Sequence, residues 1–91
     1  MSLLSAMRTA RLNEEEKNIL LRQDPATETD GGFQKLLVTL QYLVDEKSGA
    51  IELPEVLLER IPRYAFDYGN GGWESRLKSI FSRTLGENLG R

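Results

Sequence analysis

The chain has 91 residues and contains no cysteine and no histidine. The first absence excludes a disulfide scaffold and thiolate chemistry. The second removes the usual general base near neutral pH and the commonest metal ligand. Proline is scarce, at three residues, and no apolar run approaches the roughly 18 residues a membrane helix needs. No cation precedes Leu3 and Leu4, so a secretory signal is not expected and the chain reads as a soluble, cytoplasmic domain. A net charge of −2 excludes a uniformly basic coat for nucleic acid.

What is present points to helix. The apolar set makes up 40% of the chain, as in ordinary folded domains. Fifteen leucines against three valines and four isoleucines favour helix over sheet. The length suits one domain. The expected fold is all-α, a small bundle of about four helices in a single domain over 1–91, with loose ends at 1–11 and 87–91.

A first helix is expected after Asn13, which with Glu16 three residues on makes a capping box. Pro25 is expected to end it, and 24–32 to form a polar loop. Phe33, Leu36, Leu37, Leu40, Leu43 and Val44 recur at helical spacing and predict the central core helix, packed by Leu77, Ile80 and Phe81. Residues 50–53 alternate with period two, which allows one short strand. Pro54 suits the start of a third helix, and Pro62 is expected to kink or restart it. A last helix over about 73–85 follows Gly69-Asn70-Gly71-Gly72, with Gly86 as its C-cap. Asp30-Gly31-Gly32-Phe33-Gln34 and Asn70-Gly71-Gly72-Trp73-Glu74 echo each other, which reads first as two similar helix openings and second as a duplicated hairpin.

Chemistry-bearing motifs are few. With Gly49 set at the sixth position of a calcium loop, Val44 falls on the first ligand position and cannot coordinate. No nucleophile elbow or phosphate-cradling loop is present. No metal, no cofactor and no catalytic residue is therefore expected, and the chain reads as a non-enzyme.

Charge is unevenly spread. Residues 1–59 hold six cations and eleven anions, net −5, whereas 60–91 hold six cations and three anions, net +3. Within the second part, Tyr64, Phe66, Tyr68 and Trp73 are four of seven aromatics, set among Arg60, Arg63 and Arg76. Tyr and Arg are residue types enriched at binding hot spots, so Arg63, Tyr64 and Tyr68 are the candidate protein-interaction residues of a regulatory or adaptor module. Adjacent leucine pairs, Leu20-Leu21 and Leu57-Leu58, point two ways on a helix and suggest self-association as a homodimer.

The alternative is a DNA- or RNA-binding regulator using the last helix. Arg76, Lys78, Ser79 and Arg83 lie opposite its apolar side, and short hydroxyls between long cations suit phosphate contacts. The order helix, short strand, helix, helix also resembles the opening of a winged helix-turn-helix. Against it, the 62–72 stretch looks too long for the turn and no wing strands follow.

Overall fold

A computed structural model describes residues 7–91. The elements in order are strand β1 (Met7–Arg11), helix α1 (Glu14–Leu21), a 3-10 helix at Pro25–Thr29, helix α2 (Gly32–Leu43), strand β2 (Ala50–Pro54), helix α3 (Glu55–Phe66) and helix α4 (Gly71–Leu85). The molecule is mainly helical, but it is not all-α, because β1 and β2 pair as a two-stranded antiparallel sheet. Met7 lies opposite Pro54 and Arg11 opposite Ala50.

The expectation of a loose 1–11 segment is thus corrected for 7–11; residues 1–6 lie outside the described residues. The strand escaped detection because Met-Arg-Thr-Ala-Arg buries only Ala10. Residues 50–53 did carry their signal, with Ile51 and Leu53 buried against exposed Glu52. The order α2, β2, α3 and α4 is the helix, strand, helix, helix order of the winged comparison, with β2 paired to this N-terminal strand. The outward edge of β2 is blunted locally. Ala50 donates its N–H to Ser48 Oγ and accepts from the Asp45 N–H, while Pro54 has no N–H to offer.

The helix starts follow the sequence closely. Asn13 Oδ1 accepts from the Glu16 N–H at 2.8 Å, and Glu16 Oε1 accepts from the Asn13 N–H at 2.8 Å. Helix α1 nevertheless ends at Leu21, before Pro25, and the expected 24–32 loop contains the 3-10 helix. Gln41 explains the early stop. Its side-chain amide donates to the carbonyls of Leu20 and Gln23, satisfying groups that a longer helix would have bonded itself. Helix α3 neither breaks nor restarts at Pro62, which is buried in its interior.

The core is the one the α2 stripe implies. Phe33, Leu36, Leu37, Leu40 and Val44 are buried, and Leu77, Ile80 and Phe81 of α4 are buried in the same cluster. Leu43, by contrast, is exposed at the end of the helix. The adjacent leucine pairs do not stand out to solvent: Leu20 and Leu57 are buried, and Leu21 and Leu58 are partly buried against the core. Residues 87–91, expected to be loose, fold back instead. Leu89 is fully buried, and Arg91 holds both carboxylate oxygens of Asp67 at 2.6 and 2.8 Å.

Candidate interaction surface

Three helix ends meet where the sequence places its aromatics. The last turn of α3 carries Arg63 and Tyr64, and a four-residue connection, 67–70, leads to the first turn of α4. Gly69 in that connection has φ +66°, a left-handed conformation glycine adopts without cost. Asn70 Oδ1 then caps α4 by accepting from the N–H groups of Gly72 and Trp73, at 3.0 and 3.1 Å. The first turn of α2 brings Gly32 and Phe33 to the same place.

The result is a row of rings. Phe33 stacks on Trp73 with centroids 4.8 Å apart and planes within 8°. Tyr64 stacks on Tyr68 at 5.0 Å, and both tyrosines meet Trp73 edge-on, at 5.8 and 5.7 Å. Arg63 sits 5.7 Å from the Tyr64 ring and Arg76 sits 5.8 Å from the Phe33 ring. Phe33 is buried and Tyr64 and Trp73 are partly buried, so Tyr68, 52% exposed, is the part of the row most open to solvent. Glycine at 32 is a packing requirement, because a Cβ there would occupy the position of the Tyr64 hydroxyl.

Arg63, Tyr64 and Tyr68 are therefore brought together as a cluster. Phe66 is not part of the row; it lies between Lys78 and Arg91, whose cationic groups are 5.6 and 6.0 Å from its ring. Phe33 belongs both to the core stripe and to the row, a second role that its spacing within α2 does not announce. The two openings are not equivalent, however: Asn70 caps α4 with its side chain, whereas α2 begins at Gly31 with no side-chain cap.

The α4 residues of the alternative surface are placed differently. Arg83 donates to both Glu16 carboxylate oxygens, at 3.1 and 2.8 Å, and to the Arg11 carbonyl. Lys78 pairs with Glu74 at 3.0 Å, and the Ser79 hydroxyl donates to the Ser75 carbonyl at 2.9 Å. Arg76 donates to Gln23 Oε1 at 2.7 Å. Most of this polar side is committed to contacts within the fold.

Two carboxylates away from the rings have strongly defined settings. Burial raises the Glu16 carboxyl's pKa, but hydrogen bonds from Arg83 and from the Asn13 N–H, with the charge of Arg83, bring it below the ordinary glutamate value. Asp45 is held below its ordinary value by the N–H groups of Lys47 and Ser48, which close the turn before β2. Among the described residues, no group of three or more acidic side chains comes together in a way that could hold a metal ion, and no helix is long and apolar enough to cross a membrane. No protein-family model, no curated protein and no solved structure matches the chain.

Proposed function

We propose that this chain is a non-enzymatic regulatory or adaptor module of the cytoplasm that binds another protein through Arg63, Tyr64 and Tyr68. The observation that carries the proposal is the exposure of Tyr68 on a ring system already held in place. A rigid aromatic loses little conformational freedom on binding and contributes large contact area, and Arg63 at its edge supplies polarity. Ring positions fixed by Trp73 and Phe33 support a preorganised surface, which lowers the cost of association.

The test is affinity capture with the wild type and with Tyr68→Ala as bait. Capture of a specific protein by the wild type, lost in Tyr68→Ala at unchanged melting temperature, is the expected result, since a hot-spot truncation costs about 2 kcal/mol or more. Equal capture by both baits contradicts the proposal. Self-association belongs to the same proposal: light scattering at twice 10.3 kDa, abolished by Tyr68→Ala, would make the partner a second copy in a homodimer.

One observation favours nucleic acid as a second reading. The α3–α4 connection has four residues and includes Gly69, which is the length of a helix-turn-helix turn. The ion pairs of Lys78 and Arg83 weigh against it, because the helix that would enter the groove offers few unpaired cations. Titration with mixed-sequence duplex at low salt decides between them: the proposed function requires that no salt-sensitive binding occurs.

A further inference from the structure

The hydrogen-bond phase of the sheet shows which backbone groups of β1 face away from it. Leu12 donates at 2.8 Å to the carbonyl of Gly49, the residue opposite it when the β1–β2 register is extended by one step. Opposed residues of an antiparallel pair alternate between bonded and non-bonded positions, so Ala10 with Ile51 and Arg8 with Leu53 are the bonded pairs. The N–H and C=O groups of Met7, Thr9 and Arg11 therefore point outward from the sheet. Of these groups, only the Arg11 carbonyl has a hydrogen-bond partner among the described residues, the Arg83 guanidinium. Met7, Thr9 and Arg11 are exposed, and β1 contains no proline, no glycine and no bulge. The outer edge of β2 is different, because Ser48, Asp45 and Pro54 leave only Glu52 open there. A row of unpaired donors and acceptors along an extended strand is a template for another strand.

We infer that the strand it takes is β1 of a second copy of this chain, so that two molecules share one continuous sheet about a two-fold axis at Thr9. The same edge of two identical strands meets only antiparallel, which is the arrangement a two-fold axis produces. With the axis at Thr9 the whole of Met7–Arg11 pairs: Thr9 lies opposite Thr9, Met7 opposite Arg11 and Arg8 opposite Ala10. Each Thr9 N–H then donates to the Thr9 carbonyl of the other copy, and each Arg11 N–H to the other copy's Met7 carbonyl.

The side chains suit this register. No like charges lie directly opposite, and threonine across from threonine is a favourable cross-strand pair. Met7, 56% exposed, offers an apolar surface to the stem of the facing Arg11. Arg8 faces the small Ala10, and its guanidinium is turned to the Thr84 carbonyl at 3.1 Å. Moving the axis to Arg8 or to Arg11 would set two arginines opposite each other and shorten the pairing. The strand carries its own complement, which favours a second copy over a foreign strand. This inference goes beyond the protein-interaction reading, because the aromatic row takes no part in it.

A strand edge alone buries little surface, so the full chain is measured by light scattering up to about 1 mM, where even a weak dimer is populated. A mass approaching twice 10.3 kDa is expected, in wild type and in Tyr68→Ala alike. Thr9→Pro removes an outward N–H and spares the β1–β2 ladder, in which that N–H takes no part, and should return the mass to 10.3 kDa. Should that variant not fold, Thr9→Lys replaces it, since the position is exposed and two lysines would face each other at the axis. Amide exchange at Thr9 and Arg11 should slow as concentration rises, while that at Glu52 stays unchanged. A monomer mass at the highest concentration overturns the inference; if Thr9→Pro then loses a captured protein, the edge belongs to a foreign strand. A dimer lost in Tyr68→Ala also overturns it and places self-association on the aromatic row. So does a dimer kept in the Thr9 variants.

Discussion

Glu16 shows how much one side chain is asked to do. Its carboxylate closes the α1 capping box and also holds Arg83 of α4, so the start of the first helix and the end of the last are tied through one group. The capping box was legible, because Asn13 and Glu16 stand at the spacing such a box requires. The link to Arg83 was not, since the two residues are 67 positions apart and the spacing of Arg83 on the last helix points equally well to phosphate contacts. Glu16→Gln should cost about 1–2 kcal/mol, the low end for charged hydrogen bonds, because the guanidinium it loses is half-exposed. The pH dependence has a definite sign. Glu16 has its folded pKa below the unfolded value, so its ionised form stabilises the fold above the ordinary glutamate range and that stabilisation is lost as pH falls through the folded value. Melting curves of wild type and Glu16→Gln should therefore converge on acidification; a gap that stays constant from neutral to acid pH would contradict the role given to Glu16.

Elements were legible where a local rule fixes them and illegible where a distant partner does. The α2 stripe and the Asn70 cap are local, and both helices start within two residues of expectation. β1 is the reverse case: only pairing with residues some forty positions away makes Met7–Arg11 a strand. Pro62 followed neither rule: it lies buried inside α3, which continues past it without ending. The β1–β2 pairing depends on Gly49, which has φ +78°, accepts from the Leu12 N–H at 2.8 Å and leaves no space for a Cβ beside the Leu12 carbonyl. Gly49→Ala should destabilise by about 1–3 kcal/mol in urea unfolding, the cost of a strained backbone conformation, with the steric clash added. Stability within error of wild type would remove that turn from the account. The approach of α2 to α3 is tested by Gly32→Ala, which forces the Tyr64 ring from its stack on Tyr68. Near-ultraviolet circular dichroism of the aromatic rings should weaken while far-ultraviolet helicity holds; an unchanged near-ultraviolet signal would show that the row is not coupled to Gly32.

At the scale of the whole molecule, one core supports one organised surface. Leu40 is fully buried at the centre of α2, and Leu40→Ala should cost about 2–5 kcal/mol, a large part of the stability of a small domain, as read by chemical unfolding. A loss below about 1 kcal/mol would place the core elsewhere. The uneven charge was visible in the sequence, and so was the crowding of aromatics into 64–73. What composition could not supply was which of them touch. Phe33 joins the row from a different helix, Phe66 leaves it, and the cations of α4 turn to Glu16, Glu74 and Gln23. Exposure by itself is not the criterion for the surface. Tyr42 is 72% exposed, more than Tyr68, and it has no stacked ring partner among the described residues. Binding of the captured protein by Tyr68→Ala and by Tyr42→Ala, each matched to wild type in melting temperature, is the most direct measurement. Binding lost in Tyr68→Ala and kept in Tyr42→Ala is the predicted result; binding kept in Tyr68→Ala and lost in Tyr42→Ala would contradict it.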